Sequence, residues 1–205
     1  MRAVCGSLVA LALWGGAALA QAQTAPDKLV KDVANDVLRS LREDPDLRTG
    51  SQAKMSELIE KKVAPHFDFD RMTRLAVGRN WQQATDAQKE ALTKEFRTLL
   101  VRTYSSSLTA YRNQTIEVKP AKMGAQDKDV TVRTQVIQQG GPPIPIDYSM
   151  EKAADGWKVY DVTIDGASLV TTYRGTFNDQ VQKGGIDGLL KTLQDRNAGP
   201  APAKK

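Results

Sequence analysis

A chain of 205 residues has room for one domain of ordinary size or two very small ones. With 40% hydrophobic and 26% charged residues, its composition is that of a soluble globular protein, neither disordered nor membrane-spanning. Setting aside Arg2 near the start and Lys204 and Lys205 at the end reduces the formal charge of +5 to +2, with none of the concentrated basic stripe that nucleic-acid binding requires.

Residues 1–20 read as an export signal: Arg2, an apolar run from Leu8 to Leu19, and the A-x-A triplet Ala18-Leu19-Ala20 before Gln21. Ala20-Gln21-Ala22 offers an alternative cut after residue 22. The run is short for a stable span, and a retained anchor is the competing reading. Cys5 precedes the apolar core, so it is not a lipoprotein cysteine, and cleavage leaves a mature chain without thiols or disulfides. Leu29, Val33, Val37 and Leu41 then recur every four residues, an amphipathic helix ended near Asp44-Pro45. A second helix is expected over Ser51–Ala64 and is broken by Pro65. Asp68 reads as the N-cap of a short helix closed by Gly78. Thr85 and Gln88 form a capping box that opens the longest helix, running to about Tyr111.

Beyond it the apolar period shortens to two. Ile116 and Val118; Val130, Val132 and Val136; Ile144, Ile146, Tyr148 and Met150; and Tyr160, Val162 and Ile164 mark four strands of an antiparallel meander, each with one apolar face. Burial consistency favours a three-residue loop, Ala154-Asp155-Gly156, pairing Met150 with Tyr160, Tyr148 with Val162 and Ile146 with Ile164. Two helices finish the domain, Ala167–Gln182 and Ile186–Arg196, and residues 198–205 have the composition of a disordered tail. The fold class is α+β: one domain over 21–197, with helices on one face of a twisted four-stranded antiparallel sheet.

Catalytic chemistry is poorly supplied. His66 is the sole histidine, the mature chain has no thiol, and there is no G-x-S-x-G elbow, metal-ligand spacing or phosphate-cradling glycine pattern. Asp127-Lys128-Asp129 lacks the glycine and terminal glutamate of a calcium loop. Asp161 and Asp165, four apart on one strand, fit a solvated face better than an acid pair. Apolar surface remains. Most of it must be core, yet Tyr104, Tyr111, Tyr148, Tyr160 and Tyr173 all fall on apolar stripes, and buried hydroxyls need partners. A plain core and a cavity with a polar mouth both fit.

The segment WKVYDVTIDGASLVTTYRGTF, Trp157 to Phe177, resembles the strand-to-helix signature of the MlaC family, also called toluene-tolerance auxiliary proteins. The likeness extends to HFDFDRMTRLAVG (His66–Gly78), Trp81, YSSSLTAY (Tyr104–Tyr111) and GIDGLL (Gly185–Leu190), with Ala167 standing where valine is expected. The resemblance implies a periplasmic phospholipid shuttle that maintains outer-membrane lipid asymmetry, with acyl tails in an apolar cavity between sheet and helices. It implies two docking partners, an outer-membrane lipoprotein–porin complex and an inner-membrane MCE-domain ABC transporter complex. No cofactor and no catalytic residue are expected, phospholipid is the cargo, and the protein is read as a monomer. The expected lining is Leu99, Tyr104, Val132, Val136, Ile146, Tyr148, Met150, Tyr160, Val162, Ile164, Leu169 and Tyr173. Arg71, Arg74, Arg79 and Arg174 are expected to contact a partner or the headgroup. A shuttle answers a physical need: about 30 methylenes at about 0.8 kcal/mol each hold a phospholipid out of water by roughly 20 kcal/mol. The competing readings are a carrier of another lipid such as a hopanoid, an enzyme on a related cone-shaped scaffold with Asp161 or Asp70 as base, and an interaction module whose apolar faces are only core.

Overall fold

A computed structural model describes residues 24–109, 114–138 and 140–199. The expected signal peptide, Tyr111 and residues 200–205 lie outside the described residues. Helix α1 spans Pro26–Glu43, opens on a proline whose missing N–H costs nothing there, and buries Val30, Val37 and Leu41. The Asp44-Pro45 break does more than end it. Asp44 accepts from the Asp46 N–H and caps a single turn, α2 (Pro45–Arg48), not foreseen from the pattern. Helix α3 (Gln52–Lys62) is capped by Ser51, and a 3-10 turn at Ala64–His66 follows it. Asp68 accepts from the Arg71 N–H at 2.7 Å to open α4 (Phe69–Val77), which Gly78 closes at φ 63°. A second 3-10 turn, Gly78–Gln83, leads to α5 (Asp86–Thr109). The capping box is present in both directions, Thr85 N–H to Gln88 at 2.9 Å and Gln88 N–H to the Thr85 hydroxyl at 3.2 Å.

The sheet has five strands, not four, in the order β1 (Thr115–Val118), β2 (Asp129–Ile137), β3 (Ile144–Ala153), β4 (Gly156–Ile164) and β5 (Ala167–Ser168), all antiparallel. The fifth arises because Asp165 and Gly166 both adopt positive φ (50° and 80°), a two-residue hairpin turn that pairs Ile164 with Ala167. Asp165 is therefore a turn residue and does not share a strand face with Asp161. The β3–β4 loop is also corrected. It contains two residues, Ala154 and Asp155, with Ala153 opposite Gly156, so Met150 pairs with Val159 and not with Tyr160. A bulge then inserts Tyr160, after which Tyr148–Val162 and Ile146–Ile164 pair as expected. The longer loop and the short turn plus bulge deliver the same register beyond Ser149, which is why burial alternation could not separate them.

The bulge sets Val159 and Val162 on one face with Val130, Val132 and Met150, and these pack with Val30 of α1. The opposite face of β2 exposes Asp129, Thr131 and Arg133. A second cluster lies within the helical layer, where Phe96 of α5 meets Tyr173 and Phe177 edge-on at ring distances of 5.0 Å. A third joins α1, α3 and α5 around Met55 and Leu41. Residues Leu169–Ala198 form α6, begun two residues later than expected because Ser168 is its cap and accepts from Thr171 N–H at 3.0 Å. Its two arms meet at Gly185, where φ 67° and ψ −166° interrupt the helix at the expected glycine pair.

Candidate functional site

The inner sheet face grades from closed to open. Val132 and Met150 are completely buried and Val162 is nearly so. Farther along the same rows, Val136, Ile146, Tyr148 and Ile164 are only partly covered. Thr134, one register step from Tyr148, is buried and donates its hydroxyl to the Ile146 carbonyl at 2.7 Å, so its polar atom adds no unmet demand to the wall. Tyr148 keeps accessible surface although protein surrounds it, and burial pushes its phenol up from 10 to about 12.

Across from this wall, Leu169 packs against both the sheet-side cluster and the helical cluster, as does Phe67. Leu99, buried, and Tyr104 and Tyr173, half-buried, belong to the helical side. Burial raises the Tyr104 phenol to about 12, with neighbouring Tyr173 adding to it. Burial also raises Tyr173, against a hydrogen bond with Thr103. Seven of the twelve expected lining residues therefore gather on or beside the sheet wall's cluster: Val132, Ile146, Tyr148, Met150, Val162, Ile164 and Leu169. Val136 extends the wall by pairing with Ile144 and Ile116.

Tyr160 stands apart. As the bulge residue it packs against the helical cluster, and the Arg71 guanidinium lies 3.6 Å from its ring centre. Arg71 also pairs with Asp129 at 3.1 Å and with Glu151, tying α4 to the edges of β2 and β3. Burial, with Asp68 alongside, holds the Glu151 carboxyl above its ordinary value against the pull of Arg71. This arginine is engaged inside the fold. The other three expected arginines converge elsewhere, on a cleft of about 700 Å³ lined by Arg74, Leu75, Val77, Gly78, Arg79, Asn80, Thr171, Arg174, Gly175 and Asn178. Arg174 donates Nε to the Leu75 carbonyl at 3.0 Å, and Asn80 donates its amide to Asn178 at 3.3 Å. The asparagines and Thr171 were not anticipated, although Thr171, Arg174 and Asn178 stand at the i, i+3, i+7 spacing of one helix face.

The two carboxylates weighed as bases occupy structural or open positions. Asp161 is half-buried, not solvated: it accepts from Val162 N–H at 2.8 Å, Val170 N–H at 3.1 Å and the Ser168 hydroxyl at 2.6 Å, fastening β4 to the start of α6. Asp70 is exposed in the first turn of α4, beside a smaller groove of about 330 Å³ that it lines with Phe69, Glu90 and Arg97. Among the described residues no group of three or more His, Cys, Asp or Glu is placed to hold a metal, and no helix is long and apolar enough to cross a membrane.

The sequence profile of the MlaC protein family matches residues 31–195. The chain belongs to the MlaC family. Its relatives include the toluene tolerance protein ttg2D of Pseudomonas putida, 27% identical over 90% of this chain and 85% of that protein. Another is the intermembrane phospholipid transport system binding protein MlaC of Haemophilus influenzae, 26% identical over 87% of this chain and 81% of that one. Among solved structures, the phospholipid-binding protein of Ralstonia solanacearum, determined in complex with a phospholipid, superposes with a TM-score of 0.79 at 43% identity, covering 84% of this chain and 96% of that one. The α+β architecture of this MlaC-family chain is thus shared with a lipid-holding fold.

Proposed function

We propose that this chain is a periplasmic phospholipid carrier whose acyl tails lie against the inner sheet face, between Val136, Ile146, Tyr148 and Ile164 on one side and Leu169, Tyr104 and Tyr173 on the other. The observation that carries the reading is the graded sheet wall. Its apolar rows end in side chains that are only partly covered, and apolar surface left without a partner is unfavourable by about 25 cal/mol per Å². The likeness to a phospholipid-bound protein supports the same occupant. The tyrosine hydroxyls supply polar atoms where tails give way to a headgroup, which remains outside. Exchange between carrier and membrane need only be nearly balanced, because the wall substitutes for the bilayer, so direction comes from the partners. Those partners are a lipoprotein–porin complex at the outer membrane and an MCE-domain ABC transporter complex at the inner one, and the carrier works as a monomer without a cofactor or catalytic residue.

The test is lipid extraction and mass spectrometry of protein purified from a Gram-negative periplasm. Near-stoichiometric phospholipid is expected. Stripping the lipid should lower the melting temperature and returning it should restore the value, since a ligand bound by the native state alone stabilises it. Protein without lipid, whose melting is indifferent to added phospholipid, would overturn the reading.

A further inference from the structure

The cleft at the junction of α4, the Gly78–Gln83 turn and α6 has properties that the lipid wall does not explain. Arg74, Arg79 and Arg174 converge on it, and none of the three forms an ion pair among the described residues. Arg174 uses Nε to hold the Leu75 carbonyl, which fixes its guanidinium at the rim and leaves its charge uncompensated. The cleft also faces away from the lipid wall. Thr171, Arg174, Gly175 and Asn178 form one stripe of α6, whereas Leu169, Tyr173 and Phe177, which pack into the apolar clusters, lie on the opposite side of the same helix. A lipid held at the sheet therefore does not bring its headgroup here.

Gly175 is a second, independent observation. A glycine inside a helix costs about 1 kcal/mol relative to alanine, and here neither conformation nor packing requires it. Its φ is not in the left-handed range, and a Cβ built on it meets nothing within 4 Å. The missing side chain serves nothing inside the folded chain, but it lets an external backbone come close to α6.

We propose that this cleft docks an acidic peptide segment of a protein partner, with carboxylates on Arg74, Arg79 and Arg174 and the segment's backbone passing over Gly175. Planar guanidinium forks match carboxylates bidentately. Leu75 provides an apolar floor and Asn178 an amide for main-chain recognition. A concave site of about 700 Å³ takes an inserted segment, whereas a membrane surface is broad and cannot enter it. The proposal rests on the carrier reading only in that a carrier must dock; its test does not require bound lipid.

Purified full-length mature protein is titrated against a fluorescein-labelled octapeptide of alternating glutamate and leucine, read by fluorescence anisotropy, beside its glutamine counterpart and phosphatidylglycerol vesicles. The glutamate peptide should bind, weaken with added salt, and exceed the glutamine peptide by at least about tenfold, as charge-assisted hydrogen bonds require. Arg74→Glu with Arg79→Glu should weaken binding at least about tenfold. Gly175→Leu should do the same while the melting temperature holds or rises, because leucine is the better helix former. No binding of the glutamate peptide, equal binding of the glutamine peptide, or unchanged binding in both variants would overturn the proposal. So would vesicle binding that the arginine changes abolish while peptide binding persists. Co-purified phospholipid should be unaffected by all three substitutions, and its absence from the unaltered protein would count against the carrier reading alone.

Discussion

Val162 and Thr163 are neighbours on β4 and face opposite ways. Val162 is 7% exposed, in register with Tyr148 and Val132 on the inner face. Thr163 is partly exposed and pairs with Asp147 and Ser168. A glutamate at Val162 would leave an uncompensated charge among apolar neighbours, at a cost of roughly 3–5 kcal/mol, whereas one at Thr163 would sit on a face already polar. Val162→Glu is therefore expected to lose co-purified phospholipid and melt earlier, and Thr163→Glu to keep both properties, as measured by lipid extraction and thermal unfolding. Equal lipid loading in the two variants would place the lipid away from this strand. Period-two alternation named most of these side chains from the residues alone. It misplaced Tyr160 because the bulge shifts the β3–β4 register by one residue between Met150 and Ser149, so Val159 takes the place opposite Met150 that alternation gave to Tyr160. Nothing local distinguishes Tyr160 from Val159 as the residue to be displaced. The choice follows from Phe67 bridging to Val159 and Arg71 covering the Tyr160 ring.

At the scale of the element, the glycine pair in α6 contains two different residues. Gly185 holds φ 67° and ψ −166°, a region essentially closed to side chains, while Gly184 is helical and open around its Cα. Gly185→Ala should therefore destabilise by about 1–3 kcal/mol, and Gly184→Ala should be neutral or stabilise by about 0.4–1 kcal/mol through the unfolded chain. Denaturant unfolding with unchanged m-values checks both, and similar losses at the two positions would mean that the break lies elsewhere. The caps of α4 and α5 were legible because a cap is a contract between residues three apart. The Asp165-Gly166 turn carried an equally strong local signal, but a two-residue strand is too short for alternation to reveal. What that signal lacked was the partner, since Ser168 has to choose between pairing with Thr163 and capping α6, and it does both.

For the whole molecule, burial of the tyrosines sets an alkaline limit on stability. The phenols of Tyr104 and Tyr148 ionise near 10 in the unfolded chain and near 12 in the folded one. Below pH 10 both states hold these protons and stability is unaffected. From about 10 to about 12 the unfolded chain gives them up first, so stability should fall across that window. Unfolding midpoints measured from pH 9 to 11.5 should decline above 10, and Tyr148→Phe should flatten the decline; an identical slope in the variant would remove Tyr148 from the account. The sequence by itself determined the class of fold, the existence of α1, α3, α4 and α5, most of the apolar face of the four foreseen strands and the poverty of catalytic groups, because periodicity, caps and composition act within a few residues. Only the tertiary structure decided that Arg71 is internal while Arg74, Arg79 and Arg174 share a cleft, and that Asp161 fastens β4 to α6. The cleft joins residues about 100 positions apart, a long-range balance that no short window of sequence contains, while the Asp161 contacts span at most nine residues and depend on the Asp165-Gly166 turn that folds α6 back onto β4.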